Sequence, residues 1–255
     1  MNVCAVARRG LHPDPGRGDN GSVRHRVAFG VLVAVLGVVL AGCGSTEFRY
    51  VRNSDTRTAF KVPRAWTLYD KKTFLRLPPG PTVRTPDPIE WLVALDGDPS
   101  PSVQHVLNGE DLATEHPQGL ALVFTLSPEN RDQASFGFVR NFLIPVDQLM
   151  QLGTDNIEIL SYDDSLTGDE GLHGSHIVFQ FRPSALGQLQ EEQGGVSGGG
   201  ASSAFSPEFV VVNQTAYLDA NADKVYLMAL MCSAECYDDH KQDIDNAIDS
   251  WTVRP

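Results

Sequence analysis

An apolar run near the N-terminus, Val27 to Leu40, constrains this chain more than any other segment. Two arginines precede the run and small residues follow it, which is the layout of a secretory signal peptide. Extended through Gly42, the run reaches about 16 residues, fewer than the roughly 20 that a stable transmembrane helix needs. We therefore expect residues 1–42 to be an export signal and the remainder to fold outside the cytoplasm.

The four residues that end this run, Leu40-Ala41-Gly42-Cys43, resemble the lipobox of bacterial lipoproteins. In that family the cysteine thiol receives a diacylglycerol and the chain is cut just before it, so the resemblance implies that Cys43 is the lipidated first residue of the mature chain. Ordinary signal cleavage that leaves a free cysteine is the alternative. Because two acyl chains, of the palmitate type, hold stably where one is marginal, we expect residues 43–47 to tether the chain to the outer face of the bacterial cytoplasmic membrane.

Residues 1–22 are rich in Pro and Gly and are long for the basic start of a signal peptide. Arg8-Arg9 suggests twin-arginine export, but this pair stands about 18 residues before the apolar run. We favour a translation start near Val23, which would give a signal of ordinary length and exclude residues 1–22 from the protein.

Net charge bounds the choice of partner. Residues 1–42 carry +3, so the total of −12 leaves −15 on residues 43–255. An acidic chain is poorly suited to neutralising phosphates, which argues against nucleic-acid binding. We expect the body to be repelled by an anionic membrane apart from its acyl anchor, and a charged partner to be a basic envelope protein.

Cys232 and Cys236 are the two cysteines that follow Cys43. Export favours a disulfide between them, and closing so small a loop contributes about 2 kcal/mol at most. Half of a redox or metal site is the alternative. A zinc site needs about four ligands, and the sequence offers no second cysteine pair or histidine cluster. We predict no metal and no cofactor.

The exported part is dominated by short segments rich in β-branched and aromatic residues, which favour strands. Short helices are expected within 101–115 and 145–150, a loop at 78–90, a flexible Gly/Ser loop at 194–206 and a hairpin turn at 219–223. The expected strands are Phe60–Val62, Trp66–Tyr69, Trp91–Leu95, Leu120–Leu126, Ile157–Tyr162, His176–Phe181, Phe209–Leu218 and Lys224–Met231.

The clearest helix lies at the C-terminus, where Ile244, Ala247, Ile248 and Trp251 form one apolar stripe. Asp239, with a glutamine three residues later, resembles a capping box and predicts that the helix begins there. We expect this helix to pack on the sheet, with the disulfide at the junction of strand and helix.

Two segments resemble the PsbP-like fold family, which includes a thylakoid-lumen photosystem subunit, a Ran-binding protein and many bacterial lipoproteins. The first is Phe60–Trp66, with its aromatic, Pro and Trp; the second runs from Val210 through Lys224–Leu227 to a helix that closes in Ser250–Val253. The resemblance covers 48–70 and 155–255 and leaves 71–154 without a counterpart. It implies an α+β fold, an antiparallel sheet flanked by helices with the C-terminal helix packed on it, and binding or assembly without catalytic residues. Strand segments lie on both sides of the Gly/Ser tract and neither side alone suffices for a core, so we expect one domain over residues 48–255.

Several motifs that suggest chemistry have simpler interpretations. Gly195-Val196-Ser197-Gly198-Gly199 matches a nucleophile elbow, but it lies in a Gly/Ser tract and not between strand and helix. The segment 219–223 begins like a calcium loop but lacks the Gly and Glu that such a loop requires. His173 and His176 are three apart in an extended segment, so they face opposite sides. A solvated turn accounts for the acidic residues Asp163, Asp164, Asp169 and Glu170.

The sequence therefore predicts a non-catalytic binding or scaffolding lipoprotein of the cell envelope, with no assigned ligand site. A carrier of a small hydrophobic or cationic ligand is the alternative. A hydrolase that uses carboxylates is the third hypothesis.

Overall fold

The computed structural model describes residues 47–75, 88–107, 115–168, 171–192 and 208–254. The expected signal, Cys43, the Ser197 motif and the Gly/Ser loop lie outside these ranges. The helices are α1 (Lys71–Leu75), α2 (Val103–Leu107), α3 (Pro128–Arg131), α4 (Phe136–Arg140), α5 (Val146–Gln151), α6 (Pro183–Glu192) and α7 (Ala234–Asp249). The strands are β1 (Phe48–Asn53), β2 (Thr58–Pro63), β3 (Thr67–Asp70), β4 (Ile89–Asp96), β5 (Gln118–Thr125), β6 (Ile157–Thr167), β7 (His173–Phe181), β8 (Val210–Leu218), β9 (Lys224–Ser233) and β10 (Thr252–Val253).

The strands form two antiparallel sheets. The large sheet has the order β3-β4-β5-β9-β8-β7-β6, and the small sheet has the order β1-β2-β10. The pairs β6-β7 and β8-β9 are adjacent both in sequence and in the sheet, as antiparallel hairpins are. The protein therefore has the predicted α+β fold, an antiparallel sheet flanked by helices with the C-terminal helix packed on it.

The central strands of the large sheet are buried on both faces, which explains why they are almost continuously apolar. In β9, Tyr226 and Met228 point into a core shared with α7 and the small sheet. Val225 and Leu227, one residue out of phase, point into a second core on the opposite face, where Val106 of α2 and Val139 of α4 also pack. The sheet is thus the middle of three layers.

The C-terminal helix begins earlier than predicted. Ser233 is its N-cap, because its Oγ accepts a hydrogen bond from the Cys236 backbone N–H at 3.2 Å. The predicted capping box at Asp239 is wrong, because Asp239 lies inside α7 and β9 passes directly into the helix at Ser233. Trp251 lies beyond the helix end, yet it is buried and stacks on Trp91 with ring centroids 6.1 Å apart.

The predicted disulfide is confirmed. Cys232 lies near the end of β9 and Cys236 in the first turn of α7, with their Cα atoms 5.9 Å apart. The bond therefore fixes the angle at which the last long strand passes into the helix.

The predicted strands and the turn at 219–223 are confirmed, and most strands extend further than predicted. Of the predicted loop 78–90, residues 89 and 90 belong instead to β4 and residues 78–87 lie outside the described ranges. The helical expectations are met by α2 and α5. Gly153, the predicted stop after α5, has a φ of 111°, a conformation that favours glycine.

The acidic residues at 163 and 164 do not form the predicted turn. Both lie within β6, which is the edge strand of the large sheet and continues to Thr167. The pairing of β6 with β7 is interrupted twice, between Ile159 and Ser161 and between Asp163 and Leu166. The strand continues through these irregularities, so the polar residues that suggested a turn are part of β6. Residues 169 and 170 lie outside the described ranges.

None of the helices in the described ranges combines the length and the hydropathy needed to cross a bilayer.

Candidate functional site

The small sheet has one buried face and one face that is open to solvent. Val51 pairs with Phe60, and both pack into the core beneath α7. Tyr50 pairs with Lys61 and Arg52 with Ala59, and directly paired residues lie on the same side of a sheet. The alternation along β1 and β2 therefore directs an aromatic ring and two cations away from the core.

This outer face contains a cavity of about 570 Å³, which we call the basic cleft. Four cationic residues line it, namely Arg52, Arg57, Lys61 and Arg254. None of the described residues that line the cleft is Asp or Glu; Asp55 lies beside it in the turn between β1 and β2. The cleft is therefore an electropositive surface suited to an anion.

The charge of the cleft runs against the charge of the whole chain. Residues 48–64 carry a net charge of +4, whereas residues 65–255 carry −18. The expectation of a basic partner came from the total alone. The structure places Arg52 and Lys61 of this basic segment on the outer face of the small sheet, so the local charge of this face is opposite in sign to the total.

A hydrogen-bonded turn holds the rim of the cleft. The side-chain oxygen of Asn53 accepts the backbone N–H groups of Asp55 and Thr56, each at 2.9 Å. Arg57 follows with a φ of 50°, a left-handed conformation that costs a non-glycine residue about 1 kcal/mol. The Arg57 carbonyl accepts the Arg254 backbone N–H at 3.1 Å, which brings the C-terminal arginine to the same rim.

Neighbouring aromatic rings lie beside two of the cations. The Lys61 Nζ lies 5.0 Å from the ring centroid of Phe48, and the Arg52 Cζ lies 6.0 Å from that of Tyr50. Tyr50 is itself 69% exposed. Such contacts favour a cation over the ring face and leave its hydrogen-bond donors available to a ligand.

A further arginine lies on the core side of the same sheet. Arg49 donates to the Trp66 carbonyl oxygen. Burial, together with the nearby positive charge of Arg64, lowers the pKa of Arg49 from its ordinary value. Burial is the larger of the two causes, so this shift reflects the position of Arg49 on the core side of the sheet.

Ser250 attaches the small sheet to the C-terminal helix. Its Oγ accepts the Lys61 backbone N–H at 2.8 Å and donates to the Ala247 carbonyl at 2.7 Å. The segment Ser250–Val253, one carrier of the family resemblance, therefore joins the end of α7 to β2 and continues into β10. This junction holds Lys61 and Arg254 in one cleft.

A second polar cluster lies between α7 and the large sheet. The buried Asn213 has its side-chain oxygen 2.8 Å from His176 Nε2, and its Nδ2 donates to Asp245 Oδ1 at 3.0 Å. Tyr237 donates its hydroxyl to Asp245 at 3.3 Å, and Lys241 also pairs with that carboxylate. Burial, followed by the charge of Asp245, raises the pKa of Tyr237. These groups satisfy one another, so we interpret the cluster as the polar seam that positions α7 on β8.

The two strand histidines occupy opposite faces, as predicted. His173 is exposed near the start of β7 and pairs with Leu218, whereas His176 is half-buried and bonds to the amide of the seam. In the described part of the chain, no group of three or more His, Cys, Asp or Glu side chains is placed to hold a metal ion.

Another histidine contacts a buried carboxylate beside α2. His105 Nδ1 lies 3.1 Å from Asp96 Oδ2, and that carboxylate also accepts the backbone N–H groups of Asp98 and Ser102 at 2.9 Å each. The backbone contacts fix the loop between β4 and α2, so this pair is explained by loop structure.

The segment that begins like a calcium loop is a turn. Asp219 Oδ1 accepts the backbone N–H groups of Asp223 and Lys224 at 2.6 and 3.1 Å and closes the β8-β9 hairpin. Asp163 is occupied in a similar way, because the Ser165 hydroxyl and backbone N–H donate to its Oδ1 and lower its pKa.

The basic cleft was missed at the level of sequence, although a local signal existed. Residues 48–64 contain five Lys or Arg residues and one acidic residue, in a chain where acidic residues outnumber basic ones. A local charge window would have marked this segment. The contribution of Arg254 was not foreseeable, since it depends on the pairing of β10 with β2.

No family model and no curated protein sequence matches this chain. Among solved structures, the chain is similar to the solution structure of cyanobacterial PsbP (CyanoP) from Synechocystis sp. PCC 6803, with 13% identity, a TM-score of 0.40, and coverage of 84% of this chain and 96% of that chain. It is also similar to the crystal structure of a protein of unknown function, PA94, from Pseudomonas aeruginosa, with 9% identity, a TM-score of 0.32, and coverage of 82% and 99%. The first of these carries the name of the family that the sequence resembles. Neither likeness assigns a function to this chain.

Proposed function

We propose that this chain is an exported bacterial lipoprotein, anchored through Cys43, whose α+β domain binds an anionic component of the cell envelope in the basic cleft without catalysing a reaction. The observation that carries the binding role is the cleft itself, in which Arg52, Arg57, Lys61 and Arg254 converge on one concave surface. Several cations held on a rigid sheet give favourable contacts to a carboxylate, phosphate or sulfate group.

The anchor is supported by the sequence Leu40-Ala41-Gly42-Cys43 at the end of a signal-like apolar run. We expect Cys43→Ser to move the protein from the membrane fraction to the soluble fraction and to abolish incorporation of labelled palmitate. Ser45→Ala is the matched control, because it changes a residue of the expected tether, keeps the Cys43 thiol and should change neither result. Full membrane association of Cys43→Ser would refute the anchor.

The binding role is tested by crosslinking in intact cells followed by mass spectrometry of the detergent-extracted protein. The comparison is between the wild type and Arg52→Glu/Lys61→Glu, which reverses two charges on the exposed face of the small sheet. We expect an anionic ligand or partner to be captured by the wild type and lost from the variant. A partner captured equally by both would place the binding surface elsewhere.

The composition of the cleft also bears on the carrier hypothesis. A cationic ligand would be repelled by the cationic residues of the cleft, so a carrier role at this site would require an anionic ligand. Native mass spectrometry of the extracted protein distinguishes a retained small molecule from a macromolecular partner.

A further inference from the structure

The basic cleft lies close in sequence to the proposed anchor. Four residues, 44–47, separate Cys43 from the first residue of β1. Even fully extended, such a linker spans no more than about 17 Å. An acylated Cys43 would therefore keep the small sheet within one short tether of the lipid surface.

The charge distribution selects the face that turns toward that surface. The cleft on the outer face of the small sheet is lined by four cationic residues, whereas residues 65–255 carry a net charge of −18. An anionic leaflet attracts the cleft and repels the acidic remainder of the domain. The tether keeps the distance between the cleft and the lipid within a few Debye lengths, each about 8 Å at physiological ionic strength. The exposed ring of Tyr50 adds a side chain of the amphipathic kind that favours the headgroup region.

We propose that the basic cleft docks on the anionic phospholipid headgroups of the membrane that carries the anchor, so that the domain is held in one orientation with the small sheet against the lipid. This inference rests on the proposed function, because it requires the anchor at Cys43. It names phospholipid as the anionic component that the cleft binds. It replaces the expectation that the whole body is repelled from the bilayer, because that expectation treated the net charge of −15 on residues 43–255 as evenly distributed over the domain.

The test uses wild-type lipoprotein extracted in detergent and reconstituted into vesicles of phosphatidylcholine alone or with 30% phosphatidylglycerol. Hydrogen–deuterium exchange is followed in peptides from β1, from the turn 54–57 and from residues 250–254, with β6 as the internal reference. We expect slower exchange in the first three only in the anionic vesicles, and loss of this protection at 0.5 M salt. Mass spectrometry of the N-terminal peptide in the same sample reports whether Cys43 is acylated.

Charge-neutral variants measure the contribution of the cleft. Each Lys or Arg near an anionic surface changes the ratio of docked to undocked protein about fivefold. Arg52→Gln/Lys61→Gln should therefore lower that ratio about 25-fold and abolish the protection. Lys72→Gln/Arg131→Gln removes two cations outside the cleft and serves as the control of equal charge change, which should retain protection.

The outcomes separate the two proposals. A Cys43 without acyl chains overturns the anchor and with it the docking. An acylated Cys43 with equal exchange in both kinds of vesicle overturns the docking alone, as does equal loss of protection in both double variants. Protection produced by 10 mM inorganic phosphate in phosphatidylcholine vesicles would show that the cleft takes a soluble anion, and would overturn the assignment to lipid.

Discussion

The Ser250 junction supports a quantitative prediction, because one hydroxyl is hydrogen-bonded both to β2 of the cleft-bearing sheet and to the end of α7. Ser250→Ala removes the acceptor of the Lys61 backbone N–H and the donor to the Ala247 carbonyl, contacts of 2.8 and 2.7 Å. Lys61 lies beyond the two-residue β10, which pairs with β2 only at Thr58 and Ala59. No neighbouring strand on that side therefore replaces the lost contact.

A typical intramolecular hydrogen bond contributes about 1 kcal/mol net, and a half-buried donor left without its partner loses somewhat less than a fully buried one, since water reaches it. Two such contacts at half-buried residues give a loss of about 1.5 kcal/mol in the free energy of unfolding. For a domain of this size that corresponds to a Tm lower by roughly 3–6 °C. Because the junction is local, amide exchange in β1 and β2 should rise more than exchange in β5 and β9.

Differential scanning calorimetry and hydrogen exchange of the purified protein measure both effects. Ser54→Ala is the matched control, because Ser54 is exposed and its hydroxyl makes one contact, at 3.4 Å, to the adjacent Asp55. That variant should stay within about 0.5 kcal/mol of the wild type. Equal Tm values for the two variants, or uniform loss of protection across both sheets, would refute the assignment of Ser250 as the junction.

Three further predictions concern the core of the domain. Replacing both Cys232 and Cys236 with Ser should lower the free energy of unfolding by about 2 kcal/mol in urea titrations while circular dichroism shows the fold retained. Gly119→Ala should lower the free energy of unfolding by about 3 kcal/mol, because the new Cβ would overlap a backbone oxygen of β9. Gly187→Ala, which has open space around the new atom, should raise it by about 0.5–1 kcal/mol. Similar values for the two variants would contradict the packing. Burial, with nearby carboxylates, raises the pKa of Tyr226 to about 12. The contribution of this phenol to stability is therefore complete below pH about 10, where the unfolded phenol begins to ionise, and is lost as pH rises toward 12. Tyr226→Phe should make the urea midpoint depend less on pH over that range.

Much of the fold could be predicted from residue patterns because the central strands are defined locally. Val210–Val212 and Val225–Leu227 are apolar and buried on both faces, and Ile244, Ala247 and Ile248 lie on the core side of the last helix. The disulfide followed from a count of cysteines and an expected compartment. These features depend on composition within a few neighbouring residues.

The remaining features depend on contacts between distant parts of the chain. The start of α7 was set by Ser233 at the end of β9, and a second plausible cap at Asp239 obscured it. Asp163 appeared to be in a turn because its polarity hides a strand that is open to solvent along nearly its whole length. The basic cleft needs Lys61 and Ser250, which are 189 residues apart, to meet across the end of the helix.

The edge strand β6 has a consequence for how copies of this protein coexist. An eleven-residue strand at the open side of a sheet would ordinarily offer its backbone to another chain, and Ile159, Leu160 and Tyr162 are exposed on it. Its two register shifts break the regular ladder that such pairing needs, and the carboxylates at 158, 163 and 164 repel an identical strand. For a protein concentrated on a two-dimensional surface, as proposed here, this edge acts against self-aggregation and keeps neighbouring molecules separate.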